Sequence, residues 1–528
     1  MQGKYVLKEL SRYRLGTFAD LIYRNAILYP EAEAFVCSAE RISFRRFNER
    51  VNRLINGLGA RGIRKGDVLG ILSWNRNEYP EVFGAAMKGG YIAAHLNPRL
   101  KSEELLHQIE DSMARVLFIG GEFVEVIETI RHQFTRTELI ILFDPPRENM
   151  SEYKTFLQGN SPDEPDVDVM EDDPVTILYT SGTTGIPRGA VYTHRQKMES
   201  TISKALDIGV QFGDRHLVVI PMFHVGGDSH IWPFFLTGGC NVVIPSASFD
   251  PEMALQTIEK EQITDIHIVP TQLVSLINFP SVREFELKTL KRVWYAASPM
   301  PVEIIKQGLS IFGPIFMQGY GQTESGPHAT VLKQANHTAA EIQENPHVLE
   351  SCGQPCLGVH IRIVDEKGDD LEAGQIGEII INSRRNMTGY WNKPRETEDA
   401  VKDGWLYTGD MGYCDQRGFI YIADRKKDMI VTGGENVYPK EVEEILYRHP
   451  LVMEAAVIGI PDPYWVESVH AVVVLKEGAQ VAEKDILDFC KENIASYKAP
   501  KTIELVESLP KSPQGKVLKK EIRKRLSS

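Results

Sequence analysis

From residue 175 onward, a short run of β-branched and aliphatic residues repeatedly stops at Gly, Pro, Ser or Thr, and this rhythm leaves the chain few architectures. Residues 175–179 lead into Ser181-Gly182, and residues 217–220 into Pro221-Met222-Phe223-His224. Residues 242–244 end at Pro245, 266–269 at Pro270, and 293–297 at Ser298-Pro299. Apolar runs with helical-period stretches between them fit strands covered on both faces. The fold class that follows is α/β: a large N-terminal domain of α/β sheets with helices. In such sheets function gathers on the loops at strand ends, and these loops are rich in Gly, Ser and Thr. The N-terminal third has the same texture, with residues 68–72 as a strand and 79–88 as a helix, but no motif with legible chemistry.

Near residue 425 the pattern changes. Residues 419–422 and 429–431 read as strands flanking the charged turn Arg425-Lys426-Lys427-Asp428. Gly433-Gly434 follows, then a helix opening at Pro439 with Glu441, Glu443 and Glu444 in its first turns. Proline at the first helical position and acids at the positive end of the helix dipole are both start signals. Strands over 455–460 and 469–475 and a helix over 483–494 complete a small α+β unit. The expected division is therefore 1–424 and 425–528.

A chain of 528 residues exceeds what one hydrophobic core usually serves. Its 59 Lys+Arg against 72 Asp+Glu leave a formal charge of -13. That balance argues against general binding of nucleic acid or an anionic membrane, which needs a positive surface. The basic stretch 511–525 reads as a solvated helix face or as a contact for a polyanionic cofactor. Six scattered cysteines suggest reduced thiols and a cytoplasmic setting rather than a disulfide scaffold. Cys352 and Cys356 lack a second pair or histidines at zinc-finger spacing and read as structural. No run approaches the roughly 18 apolar residues that a membrane span needs. The expectation is a soluble cytoplasmic protein with no transmembrane segment, homo-oligomerisation being left open.

The strongest local signal is Tyr179-Thr180-Ser181-Gly182-Thr183-Thr184-Gly185-Ile186-Pro187-Arg188-Gly189. Hydroxyl donors and glycines in one short loop suit a polyphosphate, because glycine lets the main chain approach the anion. Arg188 supplies a cation. The loop is not the nucleotide-binding pattern G-x-x-x-x-G-K-S/T, since no Lys-Ser or Lys-Thr follows the glycines.

Four further motifs follow in order: Gln318-Gly319-Tyr320-Gly321-Gln322-Thr323-Glu324, Tyr407-Thr408-Gly409-Asp410, Asp424-Arg425-Lys426-Lys427-Asp428, and Ser512-Pro513-Gln514-Gly515-Lys516. Together with the loop, they make the sequence resemble, over essentially its whole length, the adenylate-forming superfamily. That superfamily comprises acyl-CoA synthetases, coumarate ligases, firefly luciferases and peptide-synthetase adenylation domains. The resemblance implies that Thr180, Ser181, Gly182, Thr183, Thr184 and Arg188 hold the phosphates of ATP. Many relatives carry lysine where Arg188 stands; arginine keeps the charge and binds phosphate bidentately. Tyr320 is expected to stack on adenine, with Ala297 and Ser298 opposite and Gln318, Gly319 and Thr323 around the nucleotide. Glu324, with Thr184, is expected to hold Mg²⁺ through hard oxygen ligands. Asp410 would accept the ribose hydroxyls, a role suited to an acceptor-only carboxylate, and Arg425 completes the nucleotide set.

By the same resemblance Lys516 is the catalytic residue, its cation bridging two anions as pyrophosphate leaves. The C-terminal domain would be mobile, rotating about Lys427 and bringing the loop Gly433-Gly434-Glu435 to line a coenzyme A tunnel. His224 matches a position that often gates the carboxylate, and the acyl pocket is expected around His224, Gly227, Asp228, Gly321 and Gly326. The implied activity is an ATP-dependent carboxylate–CoA ligase that forms an acyl-adenylate and then a thioester. The leaning is to a medium- or long-chain fatty acid; an aryl, alicyclic or betaine acid is the alternative, Asp228 being able to meet a substrate cation. Relatives that activate amino acids carry an aspartate where His224 stands, which argues against a free amino acid. Loading of a carrier protein, a luciferase-like oxygenase and an inactive scaffold homologue are the competing readings.

Overall fold

The structure is a computed structural model describing residues 10–145, 150–180, 187–298, 300–425, 428–432, 435–462, 465–512 and 516–526. The expected runs lie in strands buried along their length, as at Val68–Leu72, Arg292–Tyr295 and Cys240–Val243. They assemble into two large sheets. One has nine strands and runs from Gln354–Pro355 through Phe316–Tyr320, Arg292–Tyr295, Asp265–Ile268 and Arg215–Val218 to Glu40–Ser43. Its central pairs are parallel. The other has eight strands, in which Pro174–Thr180 pairs parallel with Ile92–His95 and antiparallel with Arg188–Thr193.

Helices fill the space between these sheets. One core takes Leu69, Val116 and Phe118 from the eight-stranded sheet and Phe35, Val218 and Val243 from the nine-stranded one, with helical Phe44, Phe47, Phe83, Trp232 and Phe235 between. The rings meet edge-on or tilted, Phe83–Trp232 at 5.4 Å and Phe44–Phe235 at 4.8 Å, geometries that the aromatic quadrupole favours. The helix Val225–Leu236 therefore lies within the core, and its neighbour His194–Ile208 packs beside it.

A third, five-stranded sheet contains Trp405–Cys414 and Ile420–Arg425. The C-terminal residues form a fourth sheet with its own core of Ile430, Val442, Leu446, Val457, Ala471 and Ile486. Its helices span Pro439–Arg448, Glu483–Asn493 and Lys519–Leu526. No helix among the described residues is long and apolar enough to cross a membrane.

The expected strands are present with shifted ends, and each shift has a cause. The strand expected over 293–297 stops at Tyr295. Ala297 sits at φ 78°, a region that non-glycine residues rarely occupy and that extended backbone excludes. The strand expected from 266 begins at Asp265, a charge tolerated in a buried strand because two histidines and an arginine surround its carboxylate. The strand expected over 419–422 runs on to Arg425, which places Arg425 opposite Asp410.

Candidate active site

Three side chains from two segments converge on the buried carboxylate of a third, Asp410. In Trp405–Cys414 alternate residues point inward, which buries Asp410. Tyr320 Oη donates to its Oδ2 at 2.8 Å, Gln322 Nε2 to the same oxygen at 2.7 Å, and Arg425 Nε to Oδ1 at 2.7 Å. Gln322 Nε2 also reaches the Thr408 carbonyl at 2.8 Å. These bonds fix the plane of the Tyr320 ring at the end of strand Phe316–Tyr320. Burial and the Asp410 charge push the Tyr320 phenol far above its ordinary range, so it stays a donor. Gly319 brings the strand onto Trp294: a Cβ there would lie 2.3 Å from the indole. Exposed Ala297 and half-buried Ser298 stand at the end of the adjacent strand.

A second cluster surrounds Glu324, in the short helix Thr323–Ser325. Tyr390 Oη donates to Glu324 Oε1 at 2.8 Å, and the Arg188 guanidinium lies 4.4 Å from the Tyr390 ring centroid. Tyr192 Oη donates to the Thr323 carbonyl and accepts from Gly326 N–H at 3.1 Å. Thr180 and Arg188 face each other across the strand pair that leads into and out of the expected phosphate loop.

The Ser512 N–H donates to the Lys516 carbonyl at 2.6 Å. Burial lowers the Lys516 amine to about 8; the Arg425 cation pushes the same way, while Asp410 and Glu324 oppose it. The lysine thus feels both clusters at once. It also acts on His224, which burial, Arg99 and Lys516 together hold down to about 3. His224 is consequently neutral through the physiological range and cannot serve as a cation. It caps the helix Val225–Leu236, with its ring 4.0 Å from Phe223.

Between two helices lies a small cavity lined by Val225, Asp228, Ser229 and Trp232 from one, Lys197, Ser200 and Thr201 from its neighbour, and Gly326-Pro327. Here the acyl-pocket expectations need correction. Asp228 is no solvated loop residue free to meet a substrate cation: it is 1% exposed and ion-paired with Lys197, and accepts from Trp232 Nε1 at 3.3 Å. Gly227 gives no room to a ligand; a Cβ there would lie 2.3 Å from the Pro221 carbonyl oxygen, so glycine permits backbone packing. Gly321 similarly presses on Pro327: a Cβ there would lie 2.6 Å from its carbonyl oxygen. Gly326 does line the cavity, at φ 71°. Cys356, read as structural, is buried with Asp207 and His328, their ligand-type atoms within 4.8 Å of one another.

Ser181, Gly182, Thr183, Thr184, Lys427, Gly433 and Gly434 lie outside the described residues. Glu435 is exposed on a C-terminal strand and takes no part in the bonds around Asp410. The motif reading missed Gln322, Tyr192, Tyr390 and Lys197. Gln322 stood within a quoted motif, while the other three sit in buried strands and helices where the sequence gives no chemical cue.

With this geometry in view, comparison with known proteins is informative. The family described as AMP-binding enzyme matches residues 22–391, and the AMP-binding enzyme C-terminal domain matches residues 441–516. The chain is 34% identical over 523 residues to the fatty acid–acyl-carrier-protein ligase ScoC of Streptomyces coeruleorubidus, covering 98% of each. It is 34% identical over 503 residues to a feruloyl-CoA synthase of an Amycolatopsis species, covering 95% of this chain and 97% of that one. Among solved structures, the anthranilate CoA ligase AuaEII in complex with anthranoyl-AMP matches with a TM-score of 0.90 at 27% identity, with 97% of both chains covered.

Proposed function

This chain belongs to the AMP-binding enzyme family as an AMP-forming acid–thiol ligase of the CoA-ligase branch, and we propose the following division of labour among its residues. What supports it is that the charges of Arg425, Asp410 and Glu324 all act on the buried Lys516 amine, and that Tyr320 and Arg425 both bind Asp410. Tyr320 offers its ring to adenine, and Asp410 offers its remaining lone pairs to the ribose hydroxyls. Arg188 and the loop that it follows hold the β- and γ-phosphates. Glu324 fits Mg²⁺ chemically: Tyr390 occupies one side of Oε1 and leaves oxygen lone pairs for a cation, which when bound screens the phosphate charge.

In the first step a carboxylate oxygen of the acid attacks the α-phosphorus. The P–O bond to the β-phosphate breaks, and pyrophosphate leaves with the electron pair. The Lys516 ammonium lies between the incoming and departing anions and offsets their repulsion without transferring a proton. Neutral His224 borders the carboxylate and withholds a second positive charge from it. In the second step the thiolate sulfur of coenzyme A attacks the acyl carbonyl, and AMP leaves. The C-terminal domain must then withdraw Lys516, with Lys427 as pivot and Gly433-Gly434-Glu435 lining the thiol's path.

The test is release of AMP and pyrophosphate from Mg-ATP across fatty, aryl, alicyclic and betaine acids, with and without coenzyme A. CoA-dependent AMP release with one class supports the reading, whereas adenylation indifferent to coenzyme A counts against the second step. The identity to an acyl-carrier-protein ligase supports a second acceptor, and replacing coenzyme A by a phosphopantetheinyl carrier protein in the same assay decides between them.

A further inference from the structure

Asp207, in the last turn of the helix His194–Ile208, meets His328 and Cys356 from two other segments. His328 is 1% exposed and Cys356 4%. One carboxylate oxygen, one imidazole nitrogen and one sulfur lie within 4.8 Å of one another. Ligands around a single tetrahedral ion lie roughly 3.3–3.8 Å apart. Backbone pairing holds the last two residues in place. The Cys356 N–H donates to the Ala329 carbonyl at 2.9 Å, and Thr330 stands opposite Pro355 in adjacent antiparallel strands.

The cluster is left unsatisfied. His328 Nε2 stands 3.5 Å from Asp207 Oδ2. Yet among the described residues neither ring nitrogen of His328 has a hydrogen-bond partner, and Asp207 Oδ2 has none. A neutral imidazole carries one N–H, and leaving it unbonded in the core is costly. Cys352, four residues before Cys356, is already engaged: its Sγ donates to the Ile420 carbonyl at 3.3 Å. The Arg385 guanidinium acts on Cys356 in favour of its thiolate, the form that ligates metal. The other mixed grouping, His216, His230 and Asp265, differs: both histidines bond Asp265 Oδ1, and it contains no sulfur.

We propose that Asp207, His328 and Cys356 form a site for one divalent, borderline-soft metal ion, Zn²⁺ by its donor set, with water in the fourth position. Sulfur, nitrogen and oxygen together suit zinc, whereas Mg²⁺ takes an all-oxygen shell. On binding, the Cys356 S–H bond breaks, its proton goes to solvent, and the electron pair left on sulfur forms the bond to the ion. The ion has a way in, because residues 354, 355, 357 and 358 around Cys356 are exposed, as is Leu206 beside Asp207. A metal here fastens the helix to the segment 326–329, whose Ala329 N–H bonds the Tyr320 carbonyl at 2.7 Å. It is a structural clasp, independent of the ligase reading.

The experiment dialyses the whole chain against a chelator and titrates it with Co²⁺, then with Zn²⁺. Wild type is expected to take up a single equivalent of Co²⁺ with a sulfur-to-cobalt charge-transfer band and tetrahedral ligand-field bands, which Zn²⁺ then abolishes. Cys356→Ser should lose the charge-transfer band, whereas Cys352→Ser should keep it. His328→Gln should weaken cobalt binding by more than the roughly 10–100-fold that loss of an outer-shell partner costs. Zn²⁺ should raise the thermal unfolding temperature of wild type and leave that of Cys356→Ser unmoved, since an ion that binds only the folded state stabilises it. Absence of the charge-transfer band in wild type overturns the inference without recourse to any variant. So does a band that survives in Cys356→Ser, because the sulfur then comes from another cysteine.

Discussion

At Lys516 charge and position are one property. Burial lowers its amine to about 8, with the Arg425 cation pushing the same way and Asp410 and Glu324 opposing. Below that pH it carries the cation that the proposed adenylation step uses, and above it the side chain is neutral. Single-turnover pyrophosphate release is therefore expected to fall as pH rises through about 8. In Lys516→Arg that alkaline limb should vanish, because a guanidinium stays charged. Lys516→Ala should lower adenylation by about 10²–10³-fold at neutral pH, as removal of a focused electrostatic donor does; a wild-type rate in that variant would end the assignment. Residues of this kind were legible because each sits in a short motif on a loop or strand end. Asp228 was misread for the opposite reason. Its ion pair with Lys197 joins residues 31 apart in sequence, and no local pattern announces such a partner.

The elements themselves followed from composition wherever a run was uniformly apolar, as at Val68–Leu72. They failed where tertiary contacts overrode it. Asp265 begins a buried strand because His216 Nδ1, His230 Nε2 and Arg292 Nε approach its carboxylate at 2.9, 3.1 and 3.3 Å. Those contacts hold its carboxyl well below the usual range despite complete burial. Asp265→Ala leaves Arg292 without that partner in the core, and we expect a loss of about 3–5 kcal/mol in urea unfolding. Asp265→Asn, keeping the shape, should lose less; equal losses would show that the charge is irrelevant. Likewise Gly227 was expected to leave room in the acyl pocket, yet it lets the helix Val225–Leu236 lie hard against Pro221.

Across the whole molecule, Asp424 on the strand Ile420–Arg425 reaches the helices Pro439–Arg448 and Lys519–Leu526. Lys440 N–H donates to its Oδ2 at 3.0 Å, and Lys519 Nζ lies 3.9 Å from the same oxygen. Arg523 binds Asp428 at 2.7 Å just beyond. These contacts accompany the arrangement in which Arg425, Asp410 and Glu324 act on Lys516, the one that the proposed adenylation step uses. On the same proposal thioester formation needs another arrangement, so Lys427→Pro should leave pyrophosphate release near wild type and depress CoA-dependent acyl transfer. Equal loss in both steps, read by rapid-quench kinetics, would count against a pivot there.

The polar inward face of the helix His194–Ile208 has a consequence for how such a chain can vary. The residues around Asp410 and Glu324 come from the strand ends of several sheets, far apart in the gene. The cavity wall supplied by Lys197, Ser200 and Thr201 is encoded within a few codons. Point mutations confined to that short stretch reshape the wall while the distant cluster stands still, so a duplicated copy is free to explore without first losing its engine.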